Sequence, residues 1–320
     1  MSIKLGDFDL FRDLLYKESG LVVTPDKTYL LESRLLPVAK KWNFASLEAV
    51  AVALRALPDR KLIDDIVDAM TTNETSFFRD QKPFQMFEQV VFPAVMASNR
   101  VKTSKKIRIW SAAASTGQES YTLSMLLKEK ESLWKGYTIE IVGTDISESA
   151  LAMAREGAYS QFEVQRGLPI TILMKYFKQI GDKWMISNDI KKMVKFSSFN
   201  LLNDMKILGT FDIIFCRNVL IYFDEKTKGQ ILARMSQQIQ QDGFLFLGGA
   251  ETTLGITDKF KPLETHRGLY VRPDFPGMPA GIGAAPSSPP PAAPTPASAT
   301  KPGIIPPLNI KPTPPFTTSR

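Results

Sequence analysis

From residue 7 the chain is apolar at every third or fourth position. FDLFRDLLYKESG sets Phe8, Phe11, Leu14 and Leu15 on one stripe, and Gly20 stands where a helix end takes a glycine. A second helix follows through Leu30, Leu31, Leu35 and Val38, with Asp26 expected as its cap. Ser46 opens a third, SLEAVAVALRAL, ended by Pro58, and DRKLIDDIVDAM makes a fourth. The first 70 residues thus predict a small helical bundle. Pro83 begins a fifth helix, KPFQMFEQVVF, expected to run up to Pro93.

Past residue 105 the period changes. KIRIWSA (106–112), YTIEIVGTD (137–145), FDIIFCRN (211–218) and GFLFLGG (243–249) read as short, doubly buried strands. Between them lie the helical patterns QESYTLSMLLKEK, ISESALAMAREG, capped by Ser147 and ended by Gly157, and DEKTKGQILARMSQQIQQ. Alternation with short connections predicts a mostly parallel α/β sheet covered on both faces. Residues 168–198 interrupt it: a helical start, then KWMIS and KMVKF around SNDIK, expected to form an antiparallel hairpin in a small insertion.

Composition adds limits. Of 320 residues, the 14 prolines between 276 and 320 leave a tail too poor in apolar surface to fold, so disorder with local polyproline II is expected there. No apolar run reaches the roughly 18 residues of a membrane span, and the N-terminus lacks a signal-peptide core. With Cys216 as the only cysteine, no disulfide forms within the chain, which fits a cytoplasmic setting. The net charge is +7, carried by residues 91–275 (25 cations against 19 acids) and by the tail, which has three cations and no acid. That excess favours an acidic partner, but no dense cationic cluster with interleaved aromatics points to nucleic acid.

In open α/β sheets, ligands bind beyond the carboxyl ends of the strands. After the first strand comes SAAASTGQES: small residues that admit a ligand to the backbone, Gly117 for the turn, and Glu119 in the helix's first turn. An acid there repels a pyrophosphate and suits a cation or hydroxyls. Asp145 closes the second strand, where a carboxylate can accept two ribose hydroxyls. Asn200 and Asn218, at the ends of flanking strands, supply amides suited to an adenine edge or an amino-acid head group. Neither G-x-G-x-x-G nor a P-loop is present. With His266 as the only histidine, no Ser-His-Asp arrangement and no His/Cys metal cluster can be built.

One stretch fits neither period. MTTNETSFFRD (70–80) is polar, then aromatic, then cationic, a variety that a mere connection does not need. It occurs with SAAASTGQESYTLSMLL, GTDISESALAMAREGAY, FNLL, FDIIFCRNVLIYF and DGFLFLGGAET in this order, and over residues 5–273 the sequence resembles the CheR-type chemotaxis receptor methyltransferases. The resemblance implies methyl transfer from S-adenosylmethionine to glutamate side chains of chemoreceptors, with S-adenosylhomocysteine as product. The implied fold is α/β: a class I (Rossmann-like) methyltransferase domain with an N-terminal all-α domain and a small antiparallel β-subdomain. The expected partition is 1–80 helical, 81–104 linker helix, 105–274 methyltransferase domain with the 168–198 insertion, and 275–320 tail.

Matched motif by motif, the resemblance assigns cofactor contacts to Asn73, Thr75, Arg79, Glu119, Asp145, Asn200, Leu201, Arg217 and Asn218. It places Arg79 at the cofactor carboxylate, and Phe77 and Phe78 as shields against water. Tyr222 is the candidate for hydrogen-bonding the incoming carboxylate, and Arg34, Lys40 and Lys41 for meeting an acidic receptor helix. The chain has Gly117-Gln118-Glu119-Ser120 where the family often has Gly-Glu-Glu-Pro. Its hairpin FKQIGDKWMISNDI is shorter than in members that grip a receptor's C-terminal pentapeptide, so the expectation is a pentapeptide-independent, monomeric enzyme with an unknown partner for the tail. The alternative is a non-catalytic S-adenosylmethionine-binding signalling protein of the same fold.

Overall fold

The computed structural model describes residues 4–264 and 266–282; the tail expected to be disordered lies outside them from residue 283 onward. Four helices open the chain: α1 (Leu5–Ser19), α2 (Thr28–Lys41), α3 (Leu47–Ala56) and α4 (Arg60–Met70). Their apolar stripes meet in one buried cluster that includes Phe11, Leu15, Leu31, Leu35, Ile66 and Met70. Gly20 ends α1 at φ 76, its amide donating to the Tyr16 carbonyl. Ser46 and Asp59 accept amides of the first turns of α3 and α4.

Two local expectations fail. Asp26 does not cap α2: Pro25 fixes a 3₁₀ turn, Pro25–Lys27, that swallows the aspartate, and α2 starts behind Lys27 with no side-chain cap. Nor does Pro93 stop the fifth helix. A π turn, Phe87–Val91, lets the Phe92 amide reach back to the Phe87 carbonyl, and Pro93 falls in the first turn of the next segment, Phe92–Ala97. A missing N–H costs little in a first turn.

The larger sheet has the order β6-β2-β1-β7-β8-β10-β9. Its strands are β1 (Lys106–Ala112), β2 (Thr138–Asp145), β6 (Val194–Ser198), β7 (Phe211–Cys216), β8 (Ile239–Leu247), β9 (Lys261–Pro262) and β10 (Leu269–Val271). Pairing is parallel from β6 to β8, and β10 runs antiparallel to β8. Side chains alternate between two cores. Ile107, Ile109, Ile213, Phe215, Phe244 and Phe246 fill one face; Trp110, Ala112, Ile214, Cys216, Leu245 and Leu247 fill the other. Burial on both faces is why these strands read as continuous apolar runs.

A second sheet, order β3-β5-β4, is antiparallel and consists of β3 (Ala158–Ser160), β4 (Phe177–Ile180) and β5 (Lys183–Ile186). The hairpin expected between KWMIS and KMVKF does not form. KWMI pairs with FKQI across Gly181–Asp182, with Gly181 at φ 62, which is the hairpin FKQIGDKWMISNDI to which the resemblance points. The short helix Asn188–Lys191 then carries VKFSS over to the larger sheet as β6, beside β2. The small sheet therefore begins at Ala158, ahead of the expected 168, and ends before 194.

Candidate functional site

β1 lies between β2 and β7, and the chain leaves these strands in opposite directions across the sheet, so a crevice opens beyond their carboxyl ends. The helical bundle roofs it. The cleft spans about 1020 Å³, counting the part open to solvent, and its apolar wall includes Leu21, Val67, Ile146, Phe199, Leu201, Val219 and Phe223. Asn73, Thr75, Arg79, Glu119, Asp145, Asn200, Leu201, Arg217, Asn218 and Tyr222 all line it. Residues from five separate stretches of sequence are thus brought together. Arg34, Lys40 and Lys41 are not among the lining residues.

Asp145 is buried at the end of β2. One carboxylate oxygen accepts the Ser115 amide at 2.8 Å and the other the Ser147 amide at 2.9 Å. Burial pushes its carboxyl above the ordinary aspartate value, and these amide bonds offset that only in part. Each oxygen keeps a lone pair for a further donor, which suits a pair of vicinal hydroxyls. The Ser115 amide is aimed by a left-handed backbone at Ala113 (φ 59) and Ser115 (φ 51). Gly117 turns the chain into the helix Gln118–Glu129 at φ 93; a Cβ there would meet Ala154, Phe196 and Tyr121 at 3.0–3.2 Å.

At the end of β7, the side chain of Arg217 is 2% exposed. Its guanidinium donates to Glu119 (2.9 Å), to Asp80 (2.8 Å) and to the Arg79 carbonyl (2.9 Å), and lies 5.5 Å from the Phe84 ring. Glu119 also accepts from Ser111 at 2.8 Å. Glu119 and Arg217, expected separately as ligand contacts, form one ion pair that joins the first and fourth parallel strands of the chain to the 70–80 loop. The Nε of Arg217 and the Oδ1 of Asn218 are buried without a protein partner, a donor and an acceptor left over at the wall of the cleft.

The 70–80 loop is the lid of this cleft. Phe77 is fully buried and makes edge-on contacts with Tyr159 (5.0 Å) and Phe177 (5.5 Å) of the small sheet. Phe78 packs on Phe84 at 5.8 Å with its amide on Thr122. Glu74 pairs with Arg166 at 2.6 Å, and the Asn73 carbonyl accepts from Ser115. Phe78, Asp80 and Gln81 all have positive φ. Such backbone costs on the order of 1–3 kcal/mol per residue and persists only where its surroundings over-determine it. The Arg79 guanidinium, half-buried, reaches back to the Glu74 carbonyl at 2.8 Å and stays at the cleft wall.

Some expectations meet a different use of the side chain. Asn200 donates to the Glu18 carbonyl (2.6 Å) and accepts the Leu202 amide (2.9 Å), so its amide ties the end of α1 to the sheet rather than standing free for a base edge. Arg34 donates to the carbonyls of Met70 and Thr71, both at 2.8 Å, and so caps the end of α4. Lys41 pairs with Asp65, while Lys40 is exposed. One residue was missed altogether: Glu251, buried behind the loop after β7. An acid two residues past the Gly248-Gly249 pair that follows an apolar strand was its signal in the sequence.

Residues 6–71 match the family model described as CheR methyltransferase, all-alpha domain, and residues 73–269 the one described as CheR methyltransferase, SAM binding domain. The chain is 38% identical over 270 residues to the chemotaxis protein methyltransferase Cher2 of Pseudomonas putida, covering 83% of this chain and 97% of that protein. It is 38% identical over 276 residues to chemotaxis protein methyltransferase 1 of Pseudomonas aeruginosa, covering 85% and 99%. To the chemotaxis protein methyltransferase of Borreliella burgdorferi it is 34% identical over 245 residues, 76% of this chain and 86% of that one.

Proposed function

The chain belongs to the CheR methyltransferase family and is an S-adenosylmethionine-dependent methyltransferase, and from that premise we propose that it esterifies glutamate side chains of chemoreceptors. The observation that carries the reading is the convergence of ten expected residues on one cleft between bundle and sheet.

When bound, S-adenosylmethionine supplies a methyl group electrophilic enough to need no further activation. The acceptor glutamate is ionised at neutral pH, with a reference pKa near 4.3, so no general base is called for. The work left to the protein is placement, which in good cases lowers a barrier by about 7–11 kcal/mol. Asp145 takes the ribose hydroxyls on its two spare lone pairs. Asn73, Thr75, Asn200, Leu201 and Asn218 shape the remaining walls. Arg79 takes the amino-acid carboxylate, for which its planar fork is suited. Arg217 and Glu119 hold each other and the lid, so their part in the cleft is largely to fix its shape. Tyr222 stands at the cleft wall to orient the acceptor carboxylate. The apolar lining and the buried lid aromatics keep water from the reacting oxygen.

Lys40 and Lys41 on α2 meet acidic residues of the receptor helix, with Arg34 holding the end of α4 beside them. The two-residue turn Gly181–Asp182 leaves no extended loop in the small sheet, which supports activity independent of a receptor's C-terminal pentapeptide. No helix among the described residues is long and apolar enough to cross a membrane; the proposed enzyme works as a monomer that meets the receptor from the cytoplasm. The test is transfer of labelled methyl groups to receptor-bearing membranes. Esters release labelled methanol in mild base, whereas methylated nitrogen does not. Base-labile label on receptors lacking the pentapeptide is expected; base-stable label, or none, overturns the reading.

A further inference from the structure

The loop after β7 carries Arg217, Asn218 and, in the short 3₁₀ turn Leu220–Tyr222, the tyrosine at the cleft wall. Asn218 sits at φ 57, in the left-handed region that asparagine tolerates better than most non-glycine residues. No strand or helix pairing satisfies the amides here. One buried carboxylate does. Glu251 Oε2 accepts the Asn218 amide at 2.8 Å and the Gly248 amide at 2.6 Å; Oε1 accepts the Val219 amide at 2.9 Å and the Leu220 amide at 2.7 Å. Three consecutive N–H groups and a fourth from the end of β8 therefore converge on a single side chain. Gly248 has to be glycine for this, because a Cβ would come within 2.7 Å of Glu251 Oε2 and 2.9 Å of the Asn218 nitrogen.

We propose that Glu251 is a positioning residue for methyl transfer: by gathering these four amides it fixes the left-handed turn that sets Asn218 and Tyr222 in the cleft wall. It touches neither substrate nor cofactor and acts through the backbone of residues 218–220. A carboxylate suits the task because it offers four lone-pair sites and no donor. Glutamine of the same shape has one oxygen and presents an NH₂ to two of the N–H groups. The consequence falls on the site rather than only on the stability of the fold, since the buried side chain of Arg217 and the amide of Asn218 are adjacent in the same loop.

The proposal rests on the cleft being the cofactor site but not on glutamate being the acceptor, and the experiment keeps the two apart. Glu251→Gln and Gly248→Ala are compared with Val50→Ala, a core truncation inside the bundle that leaves the cleft alone. S-adenosylhomocysteine affinity is measured by calorimetry, well below each variant's melting temperature, and methyl transfer to receptor membranes at saturating S-adenosylmethionine. Glu251→Gln and Gly248→Ala are each expected to weaken binding tenfold or more and to slow transfer further. Val50→Ala, with a comparable fall in melting temperature, stays within twofold in both. Should Glu251→Gln not fold, Gly248→Ala decides, since it displaces the same carboxylate. Binding and transfer within twofold of wild type in whichever variant folds, or an equal loss in Val50→Ala, overturns the proposal. Intact binding effects with no base-labile methyl on any receptor would leave Glu251 in place and sink the acceptor assignment instead.

Discussion

Replacing Asp145 by asparagine is a sharp perturbation of the cleft because its geometry is so fully defined. Both carboxylate oxygens already accept one backbone amide, from Ser115 and Ser147. Two lone pairs remain for the ribose, and each charge-assisted bond is worth about 1.5–3 kcal/mol. Asparagine keeps one acceptor and turns an NH₂ toward the other amide and the other hydroxyl, so about 2–4 kcal/mol of ligand binding is lost. That corresponds to an affinity for S-adenosylhomocysteine reduced by roughly 30-fold to 1000-fold. Acid adds a second signature. Burial raises this carboxyl above the ordinary 3.8, and the ligand needs the ionised form. Wild-type affinity should therefore decline in acid at a higher pH than an ordinary aspartate would dictate, and Asp145→Asn should show no such decline. The stability effect has the opposite sign: between 3.8 and the raised value the folded state holds more protons than the unfolded one. Asp145 thus makes stability fall as pH rises through that window. Calorimetry from pH 7 down to pH 4.5 reads both proteins. An affinity within threefold of wild type at pH 7 would refute the assignment of Asp145 to the ribose.

Removing one member of the Arg217–Glu119 pair leaves a largely buried charge short of its partner, Glu119 with only Ser111 or Arg217 with only Asp80 and the Arg79 carbonyl, which costs up to about 3–5 kcal/mol. Arg217→Met and Glu119→Gln should each lower the urea midpoint strongly, while the double variant loses much less than their sum; additive losses would refute the pairing. Phe77→Ala, which empties a fully buried site between Tyr159 and Phe177, should cost about 3–5 kcal/mol in denaturant unfolding and should loosen the lid to proteolysis between residues 70 and 80. Lys40→Ala should raise the KM for receptor membranes severalfold with S-adenosylhomocysteine affinity unchanged. Arg34→Ala should instead destabilise the protein by about 1–3 kcal/mol, because the Met70 and Thr71 carbonyls lose their donor. Equal behaviour of the two in both assays would contradict their separate uses.

Much of this architecture was legible from periodicity. β1 falls on KIRIWSA, and the helix at Glu148–Glu156 has the Ser147 and Gly157 caps read from sequence, because doubly buried strands and capped amphipathic helices are local patterns. What failed was non-local. KMVKF and KWMI carry the same β-prone composition, and nothing within KMVKF says that it leaves the hairpin and crosses to β2. Pro93 was read by its local rule, which the π turn before it relaxes. The candidate site followed from strand ends together with the family resemblance, so its residues were found as a set. How they spend their hydrogen bonds was not visible: Asn200 on Glu18, Arg217 on Glu119 and Asp80, and Arg34 on α4 are contacts between segments far apart in the chain. Glu251 escaped notice for the same reason, as its worth lies in amides about thirty residues upstream.

A crystal structure of the protein with S-adenosylhomocysteine bears most directly on the central claim, that the cleft between the bundle and the ends of β1, β2 and β7 holds the methyl donor. The ligand is expected with its ribose hydroxyls on Asp145, its carboxylate toward Arg79 and its sulfur open toward Tyr222. Density for it outside the cleft, or in the cleft with the ribose turned away from Asp145, contradicts the account.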